Sequence, residues 1–107
     1  MTVSITALAD GQLASTKGTL YTTPASTQAI VKTITLTNTS DSIVKVNLYV
    51  KRDGSNSRRL CPKDMALKGG YSWTDDRVHT LEAADLVEGD ASSGSTIDYV
   101  IDGVQEA

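Results

Sequence analysis

Asp75, Asp76, Arg77 and His79 form the stretch of this 107-residue chain whose side-chain types most invite chemistry. Two carboxylates can divide acid and base work in glycoside hydrolysis, but neighbours on an extended backbone point to opposite sides, so Asp75 and Asp76 do not converge on one bond. His79 has no nucleophile or metal-ligand set at a useful spacing. Asp-Asp-Arg also lacks the alternating oxygen ligands of a calcium loop. Cys61 is the single cysteine, so an intrachain disulfide is excluded; it reads as a small buried hydrophobe, with an intermolecular bridge or reactive thiol as the alternatives. Phosphate loops, nucleophile elbows, zinc-ligand clusters and tandem repeats are absent from the sequence. The expectation is a protein that is not an enzyme, with no catalytic residue, cofactor or metal site.

Contact chemistry is better represented. Lys51, Arg52, Arg58 and Arg59 surround the Asp53-Gly54 turn signal, and such a cluster is either a solvated hairpin tip or a docking surface for an acidic protein or glycan. It is too short, and too poor in interleaved aromatics, for a nucleic-acid site. Ten Lys and Arg against thirteen Asp and Glu leave a net charge of −3, and the basic residues form no stripe, so direct nucleic-acid binding is not expected. Tyr71 and Trp73 are two apart and would share one face of a strand. Core or subunit-interface packing is the stronger reading; a sugar-stacking platform requires both rings to be exposed.

The elements that must position these residues are strands. Between residues 29 and 50, Val44, Val46, Leu48 and Val50 alternate with Lys45, Asn47, Tyr49 and Lys51, the period of a strand with one packed side. In the first half Ile30, Ile34 and Leu36 are set against Val31, Thr33 and Thr35, with Lys32 interrupting the apolar side. The β-branched content opposes a helix, and the polar residues 38–42 suggest that the two strands form a hairpin. On this reading the more polar face is a candidate subunit contact with Tyr49 as its best anchor, the alternatives being ordinary solvent exposure or a second packed layer.

Residues 2–8 alternate as an edge strand or exchangeable arm, and Asp10-Gly11 marks a turn. Residues 78–91 carry some helical spacing, but two short extended pieces, 78–81 and 85–91, fit the remaining pattern better. The last strand, 96–104, places Ile97, Tyr99 and Ile101 together. The chain length matches one domain covering 1–107, with 1–18 as an N-terminal arm or edge strand. Phe is absent and there is one Trp, so the core is thin and oligomeric contacts would supplement it. The fold expected is all-β: a small two-sheet β-sandwich or jelly-roll-like barrel of about seven or eight short antiparallel strands. The N-terminal residues lack the pattern of a secretory signal and no run is long enough to span a bilayer, so synthesis in the producer's cytoplasm and no membrane partner are expected.

Several of these segments resemble small all-β structural proteins of tailed bacteriophages, decoration or head/tail accessory proteins. The resemblance is carried by Tyr21, Thr22, Pro24 and Ala25, by Asn38, Thr39 and Ser40, by Leu81, Glu82, Ala83 and Asp85, and by Gly103 and Val104. It implies a non-enzymatic, homo-oligomeric virion component, made in the bacterial host cytoplasm. Its partners would be capsid or tail proteins, with Tyr49, Lys51, Arg52, Arg58 and Arg59 as interface candidates. The alternative is a carbohydrate- or receptor-binding β-sandwich on a tail appendage, using Tyr71 and Trp73.

Overall fold

A computed structural model describes residues 3–107 of the chain, so the expectation for Thr2 lies outside the described residues. Ten strands are present: β1 Val3–Gln12, β2 Gly18–Thr22, β3 Gln28–Asn38, β4 Val44–Lys51, β5 Ser57–Arg59, β6 Met65–Leu67, β7 Ser72–Asp75, β8 His79–Leu81, β9 Leu86–Ala91 and β10 Ile97–Glu106. They make two antiparallel five-stranded sheets, the two-sheet all-β class expected, with ten strands where about seven or eight were expected. One runs β1-β10-β3 with β7 and β8 both on the far side of β3; the other runs β2-β9-β4 with β5 and β6 both on the far side of β4.

Each far edge is one strand position occupied twice. Val31 pairs with His79 and Ile34 with Asp75, so β7 and β8 continue one another across a break at residues 76–78. Tyr49 pairs with Arg59 and Val46 with Met65, so β5 and β6 do the same across an excursion at residues 60–64. Pro62 within the excursion has no N–H to give a ladder. Counting each broken edge once leaves eight strand positions, and every connection outside those two edges and the β4–β5 hairpin crosses between sheets. That is the double-sheet jelly roll.

The expected hairpin at residues 29–50 is therefore corrected. β3 and β4 lie in different sheets. Their apolar stripes face each other across the core rather than lying side by side: Val31, Ile34, Leu36, Val46 and Leu48 are all fully buried. Asn38 makes the crossing feasible. Its side-chain amide donates to the carbonyls of Ser42 and Leu67, both at 2.8 Å, and its oxygen accepts from the Ser40 N–H at 2.9 Å and hydroxyl at 2.7 Å. A fully buried amide with every hydrogen-bonding position used costs little to bury and fixes the arch at residues 39–43.

The expected faces of β3 also change. Val31 pairs with Gly103 and Thr33 with Asp102, leaving Lys32 as a β-bulge. The extra residue resets the period of two, so Ala29 and Val31 point inward on one side of the bulge and Ile34 and Leu36 on the other. Ile30 is thereby turned outward, 37% exposed. β1 has a matching irregularity at Leu8, between Ala7 and Ala9. Asp10-Gly11 is no turn: Asp10 pairs with Val100 and Gly11 with Tyr99 inside the β1–β10 ladder. A Cβ at Gly11 would lie 3.1 Å from the Tyr99 hydroxyl oxygen, so the glycine makes room for a cross-strand ring.

Gly103 carries the tightest constraint in the sheet. A Cβ there would stand 2.0 Å from the Ile30 carbonyl oxygen, a backbone atom held in the ladder opposite the bulge. Gly103→Ala should destabilise the fold by at least about 2 kcal/mol, at the upper part of the overpacking range. Urea melts of the two proteins measure it, and equal midpoints would show that the bulge is not fixed.

Candidate protein-interaction surface

The titratable stretch of the sequence is a structural clamp. Asp75, 3% exposed, accepts hydrogen bonds from the Arg77 backbone N–H at 3.0 Å, from the Arg77 side chain at 3.0 and 3.1 Å, and is 2.9 Å from His79 Nε2. Arg77 also donates to the Leu60 carbonyl. One carboxylate thus ties β7 to β8 across the edge break, and through Arg77 it ties both to the opposite sheet. Burial alone would push the Asp75 carboxyl up, but the Arg77 and His79 hydrogen bonds outweigh it and hold the group below its ordinary range. Its neighbour Asp76 is exposed, so the two carboxylates do not converge.

Asp85 does the same work at the turn between β8 and β9. It is 5% exposed and accepts from the N–H groups of Glu82 and Asp53, both at 2.9 Å, and from Arg52 at 3.3 Å. Burial opposes its ionisation, and those backbone donors, with Arg52 behind them, lower its pKa nonetheless. Both carboxylates favour the folded state while ionised. Their contribution is complete above the unfolded Asp value of about 3.9 and is lost as pH falls through the lower folded values. Asp75→Asn should cost about 2 kcal/mol at neutral pH, the scale of charged hydrogen bonds, and flatten the loss of stability on acidification. Denaturant melts at neutral and acid pH test this; an unchanged midpoint at neutral pH would remove the clamp from the account.

The Asp85 anchor was hidden because Arg52 and Asp53 are distant in the chain, and the Asp75 anchor because its near neighbours Arg77 and His79 converge on it only where the strand breaks. The available signal was the local spacing Asp75, Arg77, His79, which on a broken strand returns to one carboxylate. Cys61 is 7% exposed, and burial pushes its thiol up, so it sits in the core as a protonated side chain. Among the described residues no group of three or more His, Cys, Asp or Glu is placed to hold a metal ion.

The contact candidates separate in space. Tyr49 lies on the outer face of the β4 sheet but is only 9% exposed. Lys17 and Arg59 cover its ring at 4.7 and 5.0 Å from the centroid, and its hydroxyl donates to Asp90 at 3.2 Å. Around it Asn47 donates to Asp64 and Asp90 at 3.1 and 2.9 Å and accepts from Arg59 at 2.6 Å, while Ser57 donates to Glu88 at 2.5 Å. This outer face is a closed polar network. Lys51 is half-buried, Arg52 is tied to Asp85 and to the Thr80 carbonyl, and Arg58 and Arg59 stand exposed on the β5 edge. The turn between them is held by Gly54 at a φ of 72° and by the Ser55 N–H donating to the Arg52 carbonyl at 2.9 Å.

Tyr71 and Trp73 do not form one exposed platform. Tyr71 precedes β7 in the crossing from β6 and is 61% exposed, with the Lys68 ammonium 5.9 Å from its ring centroid. Trp73 is half-buried and packs against the core. The outer face of the β10 sheet is different again. Ile5 pairs with Val104, and Val104 with Ile30, so one row of apolar side chains crosses three strands. Ile5 is 91% exposed and Val3 beside it 60%. No sequence cue marked this row, because Ile30 was expected to point inward.

No protein-family model and no curated protein matches this chain. Among solved structures it is similar to a chain in the structure of infectious bursal disease virus, Gx strain, with a TM-score of 0.52 at 12% identity, covering 97% of this chain and 32% of that one. The corresponding Gt-strain structure gives a TM-score of 0.46 at 11% identity, over 97% and 32%. The chain thus spans about a third of the length of the chains it matches. At such identity the Gx likeness shows the fold alone. The expectation of a tailed-bacteriophage accessory protein is overturned: the likeness runs to a different virus, and the phage and bacterial-host assignments fall with it. The motifs that carried that resemblance are solutions to corners of this fold. Asn38 to Ser40 builds the arch, Leu81 to Asp85 builds the clamped turn, and Gly103 seats the bulge.

Proposed function

We propose that this domain is a non-enzymatic structural module of a virus particle, a jelly-roll subunit that works by burying complementary surface against other subunits at repeated positions. The observation that carries the reading is the jelly-roll topology, together with its likeness over 97% of the chain to part of a virus-structure chain. The buried polar groups support it as well. Asn38, Asp75 and Asp85 spend their hydrogen bonds on holding loops and broken edges, which gives rigid ends to the sandwich. In this reading the partners are other structural subunits, including copies of this chain, and the exposed Arg58 and Arg59 are contact residues at the β5 edge. Particles purified on a density gradient from the producing source should contain the chain at a constant copy ratio to the major shell protein by quantitative mass spectrometry. Its repeated absence from such particles would defeat the proposal.

A glycan- or receptor-binding module is the second reading, favoured by the 61% exposure of Tyr71, since jelly rolls also serve as lectin domains. It predicts saccharide binding on a glycan array that Tyr71→Ala abolishes without changing the thermal midpoint. Absence of binding by the unaltered protein would remove this reading.

A further inference from the structure

The four sheet edges of the jelly roll are not equally protected. The β7/β8 edge is broken at residues 76–78, and the β5/β6 edge is broken at residues 60–64 and carries Arg58, Arg59 and Pro62. β2 is a five-residue strand with a register shift between Thr19 and Tyr21. Short strands, bulges, proline and charge are the devices that stop one sheet edge from pairing with another. β1 is ten residues long; its own register shift, at Leu8, lies beyond the regular run 3–7, and residues 3–9, Val-Ser-Ile-Thr-Ala-Leu-Ala, carry no charge and no proline. One side of β1 pairs with β10; the main-chain groups on its other side have no strand partner among the described residues.

The side chains along this edge are self-complementary. Val3, Ile5 and Ala7 point to the outer face and are exposed. If a second β1 runs antiparallel to the first about an axis at Ile5, Ile5 stands opposite Ile5 of the second copy and Val3 opposite Ala7. Ser4 and Thr6 then meet on the other face, where cross-strand hydroxyl pairs are favourable. The apolar row Ile30, Val104, Ile5 becomes continuous with the same row of the second copy, which covers the exposed Ile5 and Val3 in the step that pairs the free backbone. No charge opposes this approach within residues 3–9.

We infer that the β1 edge is a homodimerisation site, at which two copies of this chain pair β1 to β1 in antiparallel fashion about a two-fold axis near Ile5, joining their β10 sheets into one. The edge geometry carries this inference by itself, so it stands or falls separately from the particle reading. Sedimentation velocity of the full chain over a micromolar to submillimolar series should show a concentration-dependent dimer. Ile5→Lys, at a fully exposed position, should weaken that dimer by about tenfold or more, because it removes an apolar pair and sets two like charges opposite one another. Independently of that variant, Ile5→Cys should form a disulfide-linked dimer under mild oxidation, whereas Val100→Cys, exposed on the same sheet face at the far end, should not. A monomer throughout the series, a dimer indifferent to Ile5→Lys, or equal cross-linking at both positions would each overturn the inference.

Discussion

Everything in this fold rests on the seating of the Lys32 bulge against Gly103. β3 carries two buried pairs, Ala29 with Val31 and Ile34 with Leu36, at a spacing that a regular strand would put on opposite faces. One unpaired residue brings both pairs to the core, and the backbone can close there only because residue 103 has no Cβ. β10 and β3 are the two central strands of their sheet, so the same contact sets the line on which β1 pairs. The outward row of Ile30, Val104 and Ile5 follows from it as well. Core packing and the exposed apolar face are thus two consequences of one register shift.

The second requirement is to turn the chain between sheets without leaving polar groups stranded. A jelly roll crosses at nearly every connection, and each crossing frees backbone groups that no ladder satisfies. Here a few buried side chains collect them. Asn38 gathers the arch after β3 and the crossing from β6, Asp85 gathers two N–H groups at the opposite end, and Asp75 bridges the gap between β7 and β8. These groups resemble catalytic residues only in composition. Their donors are already committed, so their chemistry is that of support.

The sequence made the all-β class and most strand positions legible, because an alternation of Val, Leu and Ile with polar residues is a direct imprint of pleated backbone. It made the pairing of strands less so. A polar link between two alternating strands is common to a hairpin and to an arch between sheets, and the buried role of Asn38 depends on Leu67, which is remote in the chain. The parity of β3 was hidden by its bulge, although Lys32, a charged residue amid the apolar positions, was its trace. Asp10-Gly11 misled for a different reason: its glycine answers a ring on the neighbouring strand rather than a turn. The exposed apolar row stayed hidden because it follows from that parity.

On the proposed reading, the rigid two-layer frame, the closed polar network on one outer face and the apolar row on the other suit a body held by neighbours in a particle. A reconstruction of the intact particle tests this most directly. The jelly roll should stand at symmetry-repeated positions in the ordered shell, with its loops or sheet edges packed against adjacent subunits. A particle whose ordered density accommodates no copy of this chain would contradict it.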